Sequence, residues 1–230
     1  MTLSDFIDLV YENAIVEGQP FIPRGNTSLV FPFIDSQFAA ICAKTKCFYS
    51  DRITMTIAQG DKRLDLRDTT VFSKRIVLPE SIWIDGAQLR NMDGLPGPTG
   101  LDEQRIWRGD YQTETQGKPA QWSMFQPSTL VLFPESDAAY DNCYATGWTL
   151  HEPCDNLSQT VEFLDEHLYP VARIVARELI LPYSAEKSAE KAEVLRQLNK
   201  LDLDLIQSAA SLLLQGVATR GAKRAHSFKL

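Results

Sequence analysis

Residues 117–153 read GKPAQWSMFQPSTLVLFPESDAAYDNCYATGWTLHEP. Leu130 and Leu132 begin one apolar-rich run, Tyr140 to Trp148 form another, and Pro134-Glu135-Ser136-Asp137 lies between them. Proline presets its own φ, and short Ser and Asp side chains bond nearby backbone, so these four residues predict a turn. Beyond it the chain alternates. Tyr140, Asn142, Tyr144, Thr146 and Trp148 share one face, and Cys143 and Ala145 the other. Period two is the strand period. The stretch is therefore expected to be a β-hairpin, and it carries no nucleophile motif, metal cluster or phosphate loop.

Upstream, the same period recurs. Ile53, Met55 and Ile57 alternate with threonines, Gln59-Gly60-Asp61 turns the chain, and Leu64 and Leu66 alternate with charge. Two antiparallel strands are expected there. Arg75–Leu78 and Ser81–Ile84 read as two further strands, followed by a type I′ turn at Asp85-Gly86, where both residues tolerate positive φ. Asn91–Gly100, NMDGLPGPTG, has three glycines and two prolines, a composition that stops helix and ladder alike. It is expected to project as a loop, with Leu95, Pro96 and Pro98 as contact candidates. A short helix is expected over Leu101–Arg108.

On both sides of this β region the period becomes helical. Ser4-Asp5 precedes Phe6, Ile7, Val10, Tyr11 and Ala14, predicting a helix over Leu3–Val16. A second is expected from Phe33 to about Cys47, after an interruption at Pro32. Val161, Leu164, Leu168, Val171, Val175 and Leu179 make one face of a third, capped at Asn156 or Ser158, kinked or split at Pro170 and ended by Pro182. Ser184 is expected to cap a fourth, from Ala185 to about Leu214. Two apolar stripes lie on it: Leu198, Leu201, Leu205 and Leu212, and then Leu203, Ile206, Ala210, Leu213, Leu214 and Val217. A helix that is apolar on two faces is buried on two faces. Leu203, Ile206, Leu213, Leu214 and Val217 are the candidates for contact with a neighbouring subunit. The fold expected is α+β: an antiparallel bundle of about four helices with an inserted antiparallel β domain. Its parts are N-terminal helices over 1–50, the β domain over 51–154, C-terminal helices over 155–219 and a tail over 220–230.

Charge and cysteine content bound the function. The chain has 230 residues, 44% of them hydrophobic, and a net charge of −7. Arg220, Lys223, Arg224 and Lys229 put +4 on the tail, so the remainder carries −11. An acidic body argues against general nucleic-acid binding, which needs cations against phosphate. The segment Met1 to Val16 lacks the basic start of a signal peptide, and no run of about 18 apolar residues predicts a membrane span. Cys42, Cys47, Cys143 and Cys154 fit no common zinc spacing and are expected to be reduced thiols. His151 and Cys154 form only an isolated H-x-x-C.

Catalytic motifs are absent. Gly216 to Lys223 imitates a phosphate loop but places Ala222 where Lys is needed and follows a helix instead of a strand. G-x-S-x-G, H-E-x-x-H, C-x-x-C and G-x-G-x-x-G do not occur. Asp202 and Asp204, two apart on a helix, point to different faces and do not form an acid/base pair. No enzyme activity, cofactor or metal is expected.

The order helix, helix, β insert, helix, helix resembles the head-to-tail adaptor (neck or connector) proteins of tailed bacteriophages. The resemblance rests on the N-terminal helix pair, on Ile84-Asp-Gly-Ala-Gln-Leu89, and on Gly117-x-Pro119 with Trp122, Leu130-x-Leu132, Pro134, Tyr140 and the strand ending at Pro153. Ser136 departs from it, standing where the family usually has a second proline. The resemblance implies a virion protein of the neck between head and tail, made in the host cytoplasm. It implies a ring, commonly of twelve copies, that docks on the portal protein, carries tail, nozzle or fibre proteins, and lets DNA pass without specific binding. It also implies a portal-docking tail, here Arg220, Lys223, Arg224, Phe228, Lys229 and Leu230. The alternative is a carbohydrate- or receptor-binding module on a helical stalk, using Trp83, Trp107, Trp122 and Trp148.

Overall fold

A computed structural model describes residues 1–17, 20–92, 116–126 and 128–226. The chain is mixed α+β, with four helices and two mainly antiparallel sheets among the described residues. Met1–Cys47 and His151–Leu230 form one compact unit, and Phe48–Leu150 forms a second.

The first unit is helical. Helix α1 spans Leu3–Glu17. Its cap is Thr2 rather than Ser4: Asp5 N–H donates to Thr2 Oγ1 at 3.2 Å, and Thr2 N–H to Asp5 Oδ2 at 3.2 Å. That reciprocal pair is a capping box with Asp in the usual Glu position. Helix α2 spans Thr27–Thr45 and helix α3 Asp165–Lys187. Neither obeys its prolines. Pro32 lies inside α2, and Pro170 and Pro182 lie inside α3. A proline inside a helix costs about 3 kcal/mol. Helix α3 offsets this by burying Leu168, Val171, Ala172, Ile174, Val175, Ala176, Leu179 and Ile180. Each large aliphatic side chain among them contributes roughly 1.5–3 kcal/mol.

Residues 156–164, expected to begin this helix, are not helical and include a turn at 157–158. Asn156 bonds the Ser158 N–H in an Asx turn at 2.9 Å, and Thr160 bridges Thr2. Helix α4 spans Ala189–His226 and follows α3 after the single extended residue Ser188, not Ser184. It is helical well beyond Leu214. Nothing in that stretch forbids this, because Gly216 and Gly221 cost only about 1 kcal/mol each and no proline follows. Helix α3 packs on α1 and α4, and α4 also packs on α2. Around Phe38, the Phe6 and Phe163 rings pack edge-on at 5.1 and 5.0 Å, and the His151 ring lies at 4.7 Å.

The second unit holds strands β1 (Tyr49–Ile57), β2 (Arg63–Asp65), β3 (Ile76–Ile84), β4 (Ala87–Gln88), β5 (Arg90–Asn91), β6 (Gln121–Gln126), β7 (Thr129–Phe133) and β8 (Tyr140–Thr149). One sheet has the order β1-β8-β3-β4, the other β2-β7-β6-β5. The expected hairpin is therefore not one. β7 and β8 belong to different sheets, as do β1 and β2. The true partners are β1 with β8 and β2 with β7, and β7 forms its hairpin with β6. The loops after β1 and after β7 change sheet side by side, tied by Gly60 N–H to Ser136 O at 2.8 Å and Ser136 N–H to Asp61 O at 3.1 Å. Ser136 is buried there, and a proline would lack the N–H that reaches Asp61.

Strand β3 joins the two short strands expected around Pro79 into one, with a register shift between Pro79 and Ser81. Asp85 (φ 51°) and Gly86 (φ 79°) make the expected two-residue turn into β4. Ile53, Met55, Ile57, Ile76, Ile82, Ile84, Cys143 and Ala145 from one sheet share a core with Leu64, Trp122, Leu130 and Leu132 from the other.

Candidate functional site

Among its described residues the helical unit exposes an organised apolar face on α4. On α4, Asn199, Asp202, Ile206 and Ala210 turn inward and are buried. On another side Val194, Leu198, Leu201 and Leu205 are 50%, 38%, 64% and 51% exposed. Their steps are four, three and four residues, the rhythm of a coiled-coil seam. Leu212 continues the same stripe in sequence, and its side chain lies outside the described residues. Four large aliphatics in this rhythm are a packing surface for another helix, unlike singly scattered surface leucines.

The inward face of α4 is fixed by a polar seam. Arg177 is buried, and its Nη1 donates to Asp202 Oδ2 at 2.6 Å. Arg173 Nη2 and Nε donate to the same carboxylate at 2.6 and 3.2 Å. Asn199 Nδ2 donates to Glu178 Oε1 at 2.7 Å. Burial raises the Asp202 carboxyl, and the two arginines more than reverse it, holding the group below the usual carboxylate range. Paired, hydrogen-bonded charges inside a helix interface fix register, because any other rotation of α4 would bury them alone. This seam settles which stripe faces out.

The candidate subunit contacts fall differently from one another. Ile206 is fully buried within its own unit and Leu203 is half-buried. The side chains of Leu213, Leu214 and Val217 lie outside the described residues. The exposed face belongs to the other stripe. Val194 was not among the candidates, although its spacing to Leu198 is visible in the sequence. Of the tail candidates, Arg220, Lys223 and Arg224 fall within the helical backbone of α4, and Phe228, Lys229 and Leu230 lie outside the described residues. So do the loop candidates Leu95, Pro96 and Pro98.

The β unit exposes an aromatic face. Tyr144, Thr146 and Trp148 point out from β8, while Cys143, Ala145 and Thr149 point in, the alternation expected. Trp83 on β3 stacks on Tyr144, with centroids 5.7 Å apart and planes 7° from parallel. Arg52 on β1 lies over the same Tyr144 ring at 5.3 Å. Tyr49 meets Trp148 edge-on at 5.1 Å and donates to Glu80 Oε2 at 3.0 Å. Between the two aromatic pairs, Ser81 Oγ and Thr146 Oγ1 are 2.8 Å apart, and Trp83 Nε1 donates to Ser81 Oγ at 2.9 Å. Of the four tryptophans, Trp83 and Trp148 sit on this face, Trp122 is buried in the core, and Trp107 lies outside the described residues.

His151 is occupied structurally. Its Nδ1 lies 2.6 Å from Glu152 O, and its Nε2 accepts from Glu162 N–H at 3.0 Å. Among the described residues no three His, Cys, Asp or Glu side chains are grouped to share a metal ion. No described helix is long and apolar enough to cross a membrane. No protein-family model and no curated protein matches the chain.

Proposed function

We propose that this chain is a structural, non-enzymatic virion protein of a tailed bacteriophage, an adaptor ring that joins the portal to the tail and leaves a channel for DNA. The observation that carries this reading is the unpaired seam Val194, Leu198, Leu201 and Leu205 on the helical unit. A seam in coiled-coil rhythm gains its stability only when a helix of another chain covers it, and a repeating ring supplies such a neighbour at every position. The chain order helix, helix, strands, helix, helix is the order the resemblance expects, and it supports the reading. The acidic body would let DNA slide past without adhering. The basic segment 220–230, beginning on the extended α4, is the portal-docking element in this reading.

The test is assembly on purified portal rings, followed by electron microscopy and native mass spectrometry. Wild-type protein should decorate portals as a closed ring. Leu201→Glu with Leu205→Glu should remain a folded monomer and fail to form the ring, and deletion of 220–230 should prevent docking. Full decoration by both variants would overturn the reading.

The aromatic face of the β unit favours a second reading, a carbohydrate-binding module. Trp83, Tyr144 and Trp148 offer ring faces, and Ser81 and Thr146 offer hydroxyls between them. A glycan panel titrated against tryptophan fluorescence decides it: quenching abolished by Trp83→Ala supports this reading, and a flat response across the panel removes it.

A further inference from the structure

Helix α2 ends in a way that brings two cysteines together. Lys46 adopts a left-handed conformation (φ 50°), and its N–H closes the helix onto Cys42 O at 2.9 Å. A left-handed residue at this place turns the chain back over the last helical turn. The residue after it, Cys47, is thereby set against Cys42, with the two Sγ atoms 4.0 Å apart. The sulfurs must approach to about 2.05 Å to bond. Cys42 is held in the helix, so the approach has to come from Cys47, just beyond the helix end.

The geometry points to Cys42 and Cys47 as a reactive dithiol that closes to an intramolecular disulfide on meeting a small-molecule disulfide such as glutathione disulfide. This inference does not depend on the proposed function. The two thiols have different exposures and so different roles. Cys47 is half-buried and reachable, whereas Cys42 is fully buried. The Cys47 thiolate attacks one sulfur of glutathione disulfide, the reagent's S–S bond breaks, and one glutathione thiolate leaves and takes a proton from water. Cys42 then gives its proton to solvent and attacks the Cys47 sulfur, expelling the second glutathione. Two protein thiols are oxidised, and one glutathione disulfide is reduced to two thiols.

Three further features support the assignment. The hydrogen bond shared with Cys42 lowers the Cys47 thiol below its ordinary value despite burial, with help from Thr45. A lowered thiol gives more of the attacking thiolate. Lys44 and Lys46 are exposed on the short segment between the cysteines and attract the carboxylates of glutathione. Cys143 is the contrast: burial, then the charges of Asp85 and Asp141, push its thiol up to about 11. Its sulfur lies 3.4 Å from Tyr140 O.

The experiment treats the full chain with glutathione disulfide at mildly alkaline pH, then alkylates remaining thiols and maps peptides without reduction. Wild type should yield a Cys42–Cys47 linkage, with Cys143 and Cys154 still alkylatable. Loss of the Cys47 thiol should be at least about tenfold faster than loss of Cys143. Cys42→Ala should stop at a glutathione adduct on Cys47. Cys47→Ser, at the half-buried position, should leave Cys42 alkylatable after unfolding. A stable glutathione adduct on wild-type Cys47, an unreacted Cys47, or faster reaction at Cys143 or Cys154 would overturn the proposal.

Discussion

The helical unit and the β unit both bury continuous apolar cores, and the helical one also holds an ion network between two of its helices. Between α3 and α4, Arg173, Arg177 and Asp202 meet, and Asn199 reaches Glu178. In the β unit the corresponding space holds isoleucines, leucines and Trp122. The strands there need no polar key, because the backbone ladder already fixes register and a one-residue slip would turn every core side chain to solvent. Two helices have no such ladder between them. Apolar stripes alone tolerate rotation and sliding, and a buried ion network does not. The difference teaches where each unit is fragile: the helical unit at a few charged side chains, the β unit where two backbones approach closely.

The sharpest way to break this contrast is Asp202→Ala. It removes the carboxylate to which buried Arg177 donates at 2.6 Å, and the expected loss is about 3–5 kcal/mol. All four tryptophans fall within Phe48–Leu150. Tryptophan fluorescence therefore follows the β unit, and the far-ultraviolet helical signal follows the helical unit. In urea titrations Asp202→Ala should lower the helical midpoint and leave the fluorescence midpoint in place. If both fall together, the units unfold as one.

The β counterpart is Gly147→Ala. Gly147 has φ 154°, and a Cβ there would lie 2.4 Å from Leu78 O and 2.9 Å from Pro79 Cα. Backbone must move, at the bulged part of β3, and the expected loss is roughly 1–3 kcal/mol. This variant should shift the fluorescence midpoint first, the reverse of Asp202→Ala.

Acid should separate the units in a graded way. His167 is buried, its Nε2 has no hydrogen-bond partner among the described residues, and desolvation lowers its pKa while Glu166 partly opposes this. A lowered folded pKa contributes stability that is present above the unfolded value of about 6.5 and is lost as pH falls through the folded value. Asp202 has the same sign, with its loss beginning below about 3.9. The helical midpoint should therefore fall from about pH 6.5 downward, in a first stage that His167→Gln flattens. An unchanged slope in His167→Gln would show that another group titrates.

The smallest stability effect is expected at the exposed seam. Leu201→Glu, at 64% exposure, should change folding stability by no more than about 0.5 kcal/mol. If the seam packs against another chain, the same substitution should abolish association in sedimentation. A large loss of stability in the isolated monomer would mean that the seam already packs internally.

Much of this was readable from period alone. The helical spacing of Phe6, Ile7, Val10, Tyr11 and Ala14 marks a face that is buried, and β8 alternates as its sequence says. The turn at Asp85-Gly86 was legible because few residue pairs accept two positive φ values in succession. Proline was misleading for a physical reason. Its local penalty is about 3 kcal/mol, and the buried side chains along α3 outweigh it. The sheet partners were illegible too. A turn such as Pro134–Asp137 states that the chain reverses, and not whether the returning strand joins the same sheet or the facing one.

The candidate site was half legible. Two apolar stripes on α4 are plain in the sequence. Which stripe is covered depends on Arg173 and Arg177, which stand well over twenty residues from Asp202 in the chain.

The sequence by itself determined the periods, and with them the helical flanks, the β region between them and the lack of known catalytic motifs. Those are local properties, set by residues within a few positions of one another. Tertiary structure alone decided that the stretch from Gly117 to Pro153 spans two sheets, that Ser136 ties two crossing loops, and that Val194, Leu198, Leu201 and Leu205 face outward. Those outcomes depend on which distant partner satisfies a backbone group or a buried charge, and local periodicity carries no information about that partner.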